Sequence, residues 1–335
     1  MKYFLNVPIE PIANRYSVQW REWFDKGLLE HCGERDAYQT VDGEYGVELE
    51  QPSKADFMNP VSTSVFKAMQ GADLMKVIRL LDSEIVVFFH DLYHPAVSQL
   101  VYLREVARLP IKITGVVHAA SYVPYDTLAP HTDWSEFLET VWFGYADTVV
   151  VATQYNKSLL ENNVVLPRAE VKVCPFPVNL GFGGVDVKLD QVVFPHRLAP
   201  EKKPEEFDAL MNCLAHGVGI KTMEQCGSKL EYHAALAQSK VAFSAAVEET
   251  FGIAMVEATC RGCIPLVPDD LCYRELYPEE YRYVSFSHAV DKCEWFLRDY
   301  DNIVRTNGYQ DMVRNFLDLH QPDKAVSGIL QAITD

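Results

Sequence analysis

The chain has 335 residues, 48% of them apolar and 12% aromatic, and a formal net charge of −17. At roughly 150 residues per domain this is about two domains, each able to bury its own core, and wholesale disorder is excluded. The acidic balance also excludes a protein that coats nucleic acid or anionic membrane with its whole surface, while leaving room for a local basic groove.

In chain order, Tyr3 to Val7 reads as a strand. The stretch from Met1 to Pro8 lacks the apolar centre and cleavage site of a signal peptide. Tyr16 to Leu29 has Trp20, Trp23, Phe24 and Leu28 at helical spacing, read as a core face rather than a base-stacking platform. Ile85 to Phe89 is a buried strand, far shorter than the roughly 18 apolar residues a membrane helix needs. A helix over Pro95 to Ala107, a strand over Ile111 to Val117, a helix over Trp134 to Phe143 and strands at Thr148 to Ala152 and Val171 to Cys174 follow. Asn6, His90-Asp91, His118 and Thr153-Gln154 close these strands, and open parallel sheets bind ligands at their carboxyl ends.

The Pro/Gly-rich passage from Pro175 to Gly184 reads as an interdomain linker, with a hinge over Phe176 to Gly184. A second alternation runs through a strand at Val192 to Phe194, helices at Pro204 to His216 and Leu230 to Gln238, a strand at Val241 to Ala245, a helix at Ile253 to Arg261 and a strand at Ile264 to Val267. Helices from about Ala289 close the chain. The expected fold is α/β: two Rossmann-like, doubly wound domains facing a central cleft. The boundaries read as 1–177, 178–310 and a terminal helix over 311–335 that packs back on the first domain. The eight cysteines sit mostly in apolar runs and read as reduced thiols of a cytoplasmic protein.

Two passages carry chemistry. In Ser244 to Ala258, a helix expected from about Thr250 opens with Thr250, Phe251, Gly252 and Ile253, and its free N–H groups and dipole make a phosphate seat, with Gly252 allowing close approach. Glu249 at the entrance and Glu257 eight residues on are about 12 Å apart at ~1.5 Å per residue, the length of a nucleotide sugar. In Phe194 to Pro204, Arg197 and Lys202 lie in the turn after a strand, and two cations suit a diphosphate. His90-Asp91-x-x-His94 reads as a substrate-lining loop rather than a metal pair, because Pro95 disfavours helix at His94. Cys260 and Cys263 read as packing residues. No metal site and no tightly bound cofactor is expected.

Arg197-x4-Lys202 followed by Glu249-x7-Glu257 within Glu-Thr-Phe-Gly-Ile resembles the family-four retaining glycosyltransferases of the GT-B fold. The resemblance implies that Arg197 and Lys202 bind the diphosphate of a nucleoside-diphosphate sugar, a UDP-sugar foremost. It implies Glu249 at the donor sugar, Glu257 at the ribose and His118 near the reacting sugar. The family's Gly-Gly-x-x-Arg turn after the first strand is replaced by Pro8-Ile9-Glu10-Pro11-Ile12-Ala13-Asn14-Arg15-Tyr16. The stretch from Ala215 to Leu230 reads as having lost a strand. More loosely, the opening and the His90 to Pro95 loop are similar to bacteriophage glycosyltransferases, some of which modify hydroxymethylated pyrimidines such as hydroxymethylcytosine in DNA. The function these resemblances imply is retaining sugar transfer to a hydroxyl, with phage DNA modification the favoured acceptor chemistry. A saccharide or small-molecule acceptor, a nucleotide-sugar epimerase and a non-catalytic binding protein are the alternatives. Arg15, Arg21, Lys67, Lys76, Arg79, Arg104, Arg108 and Lys112 could supply a basic groove for DNA if they share a face.

Overall fold

In the computed structural model, which describes residues 2–12, 15–43, 56, 58–181 and 187–334, the apolar runs become two parallel sheets. The bulk of the chain up to Pro177, with Pro322 onward, forms one compact unit, and Val178–Gln321 forms the core of the other.

The first sheet holds β1 (Lys2–Val7), β2 (Ala37–Thr40), β3 (Glu84–Phe89), β4 (Ile111–Val116), β5 (Thr148–Val151) and β6 (Glu170–Val173), in the order β2-β1-β3-β4-β5-β6. Every pairing is parallel. The crossovers run through α1 (Tyr16–Cys32), α2 (Pro60–Ile78), α3 (Ala96–Glu105), α4 (Thr132–Trp142) and α5 (Gln154–Asn163). Residues 85–89 of β3 are all buried, because a central parallel strand is covered on both faces and needs an unbroken apolar run. Trp20, Phe24 and Leu28 bury one stripe of α1, and Trp20 Nε1 donates to the Pro177 carbonyl at 3.1 Å.

The second unit runs β7 (Leu189–Phe194), α6 (Pro204–Cys213), β8 (Val218–Lys221), α7 (Thr222–Gln225), α8 (Lys229–Gln238), β9 (Ser239–Phe243), α9 (Ile253–Cys260), β10 (Ile264–Pro268) and α10 (Tyr273–Leu276). It ends with β11 (Arg282–Tyr283), α11 (Phe286–Arg298), α12 (Tyr300–Ile303) and α13 (Asn307–His320). Its sheet is parallel in the order β11-β10-β9-β7-β8. The last helix, α14 (Pro322–Thr334), belongs to the first unit and buries Val326, Ile329, Leu330 and Ile333. A Cβ at Gly27 of α1 would overlap Val326, so glycine there lets α14 lie close.

Two sequence expectations change here. The stretch from Ala215 to Leu230 keeps its strand: β8 pairs with β7 from Gln191↔Val218 to Phe194↔Lys221. The helix expected to run to His216 stops at Cys213, which frees the chain to form that edge strand. The structure also adds α2, whose Asn59 cap accepts from Val61 N and Ser62 N at 3.1 Å with Pro60 at the first turn. Gly183 and Gly184 of the linker, and Ala13 and Asn14 of the opening turn, lie outside the described residues.

In each sheet the order of strands reverses once. The reversal falls between β1 and β3 in the first unit and between β7 and β9 in the second. Such switch points open a crevice at the carboxyl ends of the strands, where ligands of doubly wound folds bind.

Candidate functional site

The loops that leave β7 and β9 in the second unit carry Arg197, Lys202 and Glu249. A short 3₁₀ turn over Pro200–Lys202 turns Lys202 inward, and its side chain is only 9% exposed. Its Nζ donates to the Glu248 backbone carbonyl and lies 3.3 Å from both Glu248 Oε2 and Glu249 Oε2. Arg197 pairs with Glu201 at 2.7 Å. Val247 N donates to the Glu201 carbonyl at 2.9 Å, so backbone ties the two loops together.

The helix expected from Thr250 begins three residues later, at Ile253. Glu249 explains the delay: its Oε1 accepts the Gly252 N–H at 3.0 Å, closing a turn ahead of the helix. Gly252 caps α9 at φ 82, a left-handed conformation that costs other residues energy. Crowding is not the reason for glycine here, since a Cβ would meet Glu249 Cγ and Tyr273 Cε1 at an ordinary 3.4 Å. Glu249 therefore stands outside the helix, and helical rise does not measure its distance to Glu257. The N–H groups of Ile253 and Ala254 in the first turn have no intrahelical carbonyl to reach. Burial pushes the Glu249 carboxyl up, but the Lys202 ammonium beside it and the backbone N–H of Phe251 outweigh that and hold it below its ordinary range. Burial alone would lower Lys202, yet Glu249 and Glu248 raise it.

Glu257 sits within α9, its side chain 3% exposed. Tyr232 Oη donates to its Oε2 at 2.8 Å, and Lys229 Nζ lies 3.5 Å from its Oε1. Lys229, Tyr232 and His233 stand at i, i+3 and i+4 of α8, one helical face. Burial works against ionisation of Glu257, and the Lys229 ammonium and the Tyr232 hydroxyl overcome it. These α8 residues escaped the sequence reading. The signal was present in Ser228-x-x-Glu231, where Ser228 caps α8 by accepting the Glu231 N–H and so fixes which face 229, 232 and 233 occupy. Glu248 and His196 escaped it too. His196 is buried, its Nε2 has no hydrogen-bond partner, and burial drives its pKa down to about 3, so it is neutral.

His118 belongs to the first unit, at the end of β4, whereas Arg197, Lys202, Glu249 and Glu257 belong to the second. Its Nε2 lies 3.0 Å from the His90 carbonyl. A carbonyl only accepts, so Nε2 carries the proton and Nδ1 is the acceptor. The ring packs among Trp20, Tyr16 and Phe176 at 5.2, 5.8 and 5.5 Å between centroids. Burial lowers its pKa, with Asp91 opposing.

The His90 to His94 loop is built into the fold. His90 Nε2 meets Asn6 Oδ1 at 2.8 Å, and Asn6 Nδ2 donates to Asp25 at 2.9 Å. His94 uses both ring nitrogens, on Gln70 at 3.2 Å and on the Ala96 N–H at 3.1 Å. Asp91 pairs with Lys67 at 3.0 Å. Among the described residues no group of His, Cys, Asp and Glu is arranged to hold a metal ion, and no helix is long and apolar enough to cross a membrane. The eight cysteines are free thiols, and Cys263 Sγ donates to the Leu236 carbonyl at 3.0 Å.

The basic residues of the first unit do not share one face. Lys67 reaches Asp91 beyond the carboxyl end of β3, whereas Arg104 bonds Asp147 just before the amino end of β5. Arg21 and Lys76 face Asp42 and Asp73. Four of the eight, Arg21, Lys67, Lys76 and Arg104, are thus paired with carboxylates, and Lys67 and Arg104 lie at opposite ends of the sheet.

The parallel-sheet architecture aligns with sucrose-phosphate synthase from Thermosynechococcus elongatus at a TM-score of 0.74 and 13% identity, covering 99% of this chain and 98% of that one. The fold is that of the GT-B glycosyltransferases. It also aligns with S. aureus TarM, solved with Fondaparinux, alpha-GlcNAc-glycerol and UDP, at a TM-score of 0.57 and 12% identity, over 80% of this chain and 59% of that one. In sequence, the tRNA-queuosine alpha-mannosyltransferase of Drosophila melanogaster is 31% identical over 141 residues, 34% of this chain. The chain spans just over a third (37%) of that relative's length. No protein-family model matches the chain.

Proposed function

We propose that the chain is a glycosyltransferase that takes its sugar from a nucleoside-diphosphate donor, with retention at the anomeric carbon. The observation that carries this reading is the meeting of Lys202, Glu249 and the Gly252-capped helix entrance at the β7/β9 switch point of a GT-B fold. As the sugar leaves, negative charge grows on the diphosphate. Arg197, Lys202 and the first turn of α9 are the groups suited to neutralise it. Glu249, anchored by the Gly252 N–H, accepts hydroxyls of the donor sugar, and Glu257, braced by Tyr232 and Lys229, accepts those of the ribose. His118 accepts a sugar hydroxyl at Nδ1, since Nε2 is committed to the His90 carbonyl. A neighbour solved with UDP supports a UDP-sugar donor.

The acceptor we propose is a hydroxyl on a modified nucleobase. A relative named for acting on tRNA-queuosine supports that class. So does the looser likeness of the opening and the His90 to Pro95 loop to phage glycosyltransferases, some of which act on hydroxymethylated pyrimidines in DNA.

The test is an incubation with UDP-, GDP- and CDP-sugars and four acceptors: hydroxymethylcytosine DNA, unmodified DNA, bulk tRNA and simple saccharides. The expected result is release of nucleoside diphosphate with a matching mass gain on a modified nucleic acid, and an unchanged anomeric configuration. Transfer only to saccharides removes the nucleobase assignment. An inverted anomer removes retention, and isomerised donor without an acceptor points to an epimerase.

A further inference from the structure

The donor seat carries its own anions. Lys202 Nζ faces the Glu248 carbonyl, Glu248 Oε2 and Glu249 Oε2, three acceptors for three ammonium hydrogens. Arg197 faces Glu201. Two cations thus stand among three carboxylates, and a diphosphate arriving there enters a seat of net negative charge. Glu249 cannot easily yield, because the Gly252 and Phe251 N–H groups hold it. The Val247–Glu201 backbone bond likewise fixes the loop one residue ahead of Glu248. The Glu248 carboxylate, which has no task in the proposed reaction, is the group in direct competition with a phosphate for Lys202.

We propose that Glu248 is the standing counter-ion of the donor seat. It holds Lys202 while the seat is empty, yields to the diphosphate on loading, and retakes Lys202 as the nucleoside diphosphate leaves. Glu248 is an affinity-setting residue rather than a catalytic one. It keeps a buried cation paired, whose isolation would be costly, and it weakens product binding. This inference rests on the reading that the second unit seats a nucleoside diphosphate.

The experiment titrates UDP, inorganic pyrophosphate and uridine into the wild type and Glu248→Gln, with thermal melting as a check on folding. The amide can still accept from Lys202, so the fold is retained, but the competing charge is gone. UDP and pyrophosphate should bind about tenfold more tightly, the scale of removing one like charge ~6 Å away at intermediate dielectric, and less so in high salt. Uridine affinity should not move, and inhibition of turnover by UDP should deepen. Glu248→Asp keeps the charge and should bind as the wild type does. Should Glu248→Gln melt at a lower temperature, Glu248→Met supplies the same comparison. If the wild type binds UDP and pyrophosphate while the neutral variants bind them equally or more weakly, the counter-ion role is overturned and the donor-seat reading survives. If the wild type binds neither, both fall together.

Discussion

The carboxyl ends of the two sheets use polar groups in different ways. In the first unit, the buried polar side chains are mostly uncharged amides and imidazoles, Asn6 with His90 and Gln70 with His94, beside one ion pair, Lys67 with Asp91. In the second, charges predominate: buried Lys202 among Glu248 and Glu249, and buried Glu257 paired with the half-buried Lys229. Neutral hydrogen-bond networks fix the shape of a loop and carry no net charge for an incoming phosphate to displace. Buried ion pairs cost desolvation on both sides and can be re-formed with an incoming charge. The contrast agrees with the proposed placement of a charged donor at the second unit.

The sharpest break in that comparison is Lys202→Met. It leaves two buried carboxylates without their cation and should cost about 3–5 kcal/mol of stability, read by denaturant unfolding. A near-neutral result would mean that the cluster is not a buried ionic one. Next is Glu249→Gln, which should keep the fold and reduce transfer by about a hundredfold, the scale of a lost transition-state contact. Full activity in that variant would remove Glu249 from the mechanism.

Acid acts first on buried histidines in both units. Burial holds the pKa values of His90, His94 and His196 at about 3, against 6.5 in the unfolded chain. Their contribution is complete above pH 6.5 and is lost as pH falls toward 3, because the unfolded chain takes up protons first. Each should withdraw about 2 kcal/mol by pH 5. Glu249, held below its ordinary 4.5, adds its own loss only below that pH. A melting temperature flat from pH 7 to 5 would contradict the neutral-histidine assignment. The smallest change is Asn6→Leu, which strands His90 Nε2 and should cost about 1–3 kcal/mol without altering nucleotide affinity.

The same contrast explains what could be read from the sequence. Arg197, Lys202, Glu249 and Glu257 are charges at short, fixed spacings in strand-turn-helix contexts, so a linear reading finds them. Asn6, Gln70, His90 and His94 come from distant segments and show no spacing at all. The helix α2 was hidden although Asn59-Pro60 announces it, because its buried face includes Thr63, Lys67 and Gln70 and dilutes the apolar period. The strand β8 was hidden because it is a four-residue edge strand with no buried position. The start of α9 was misread by three residues because a side chain, Glu249, closes the preceding turn, an event that helix-forming tendency does not encode.

The central claim is that the second unit seats a nucleoside diphosphate on Arg197 and Lys202. Calorimetric titration of UDP, GDP and CDP into the wild type and Arg197→Ala tests it most directly, Arg197 being the more exposed of the two cations. Saturable binding of at least one nucleotide by the wild type, weakened tenfold or more in a variant that melts normally, is the predicted result. Equal affinity in both proteins, or no binding to the wild type, would contradict it.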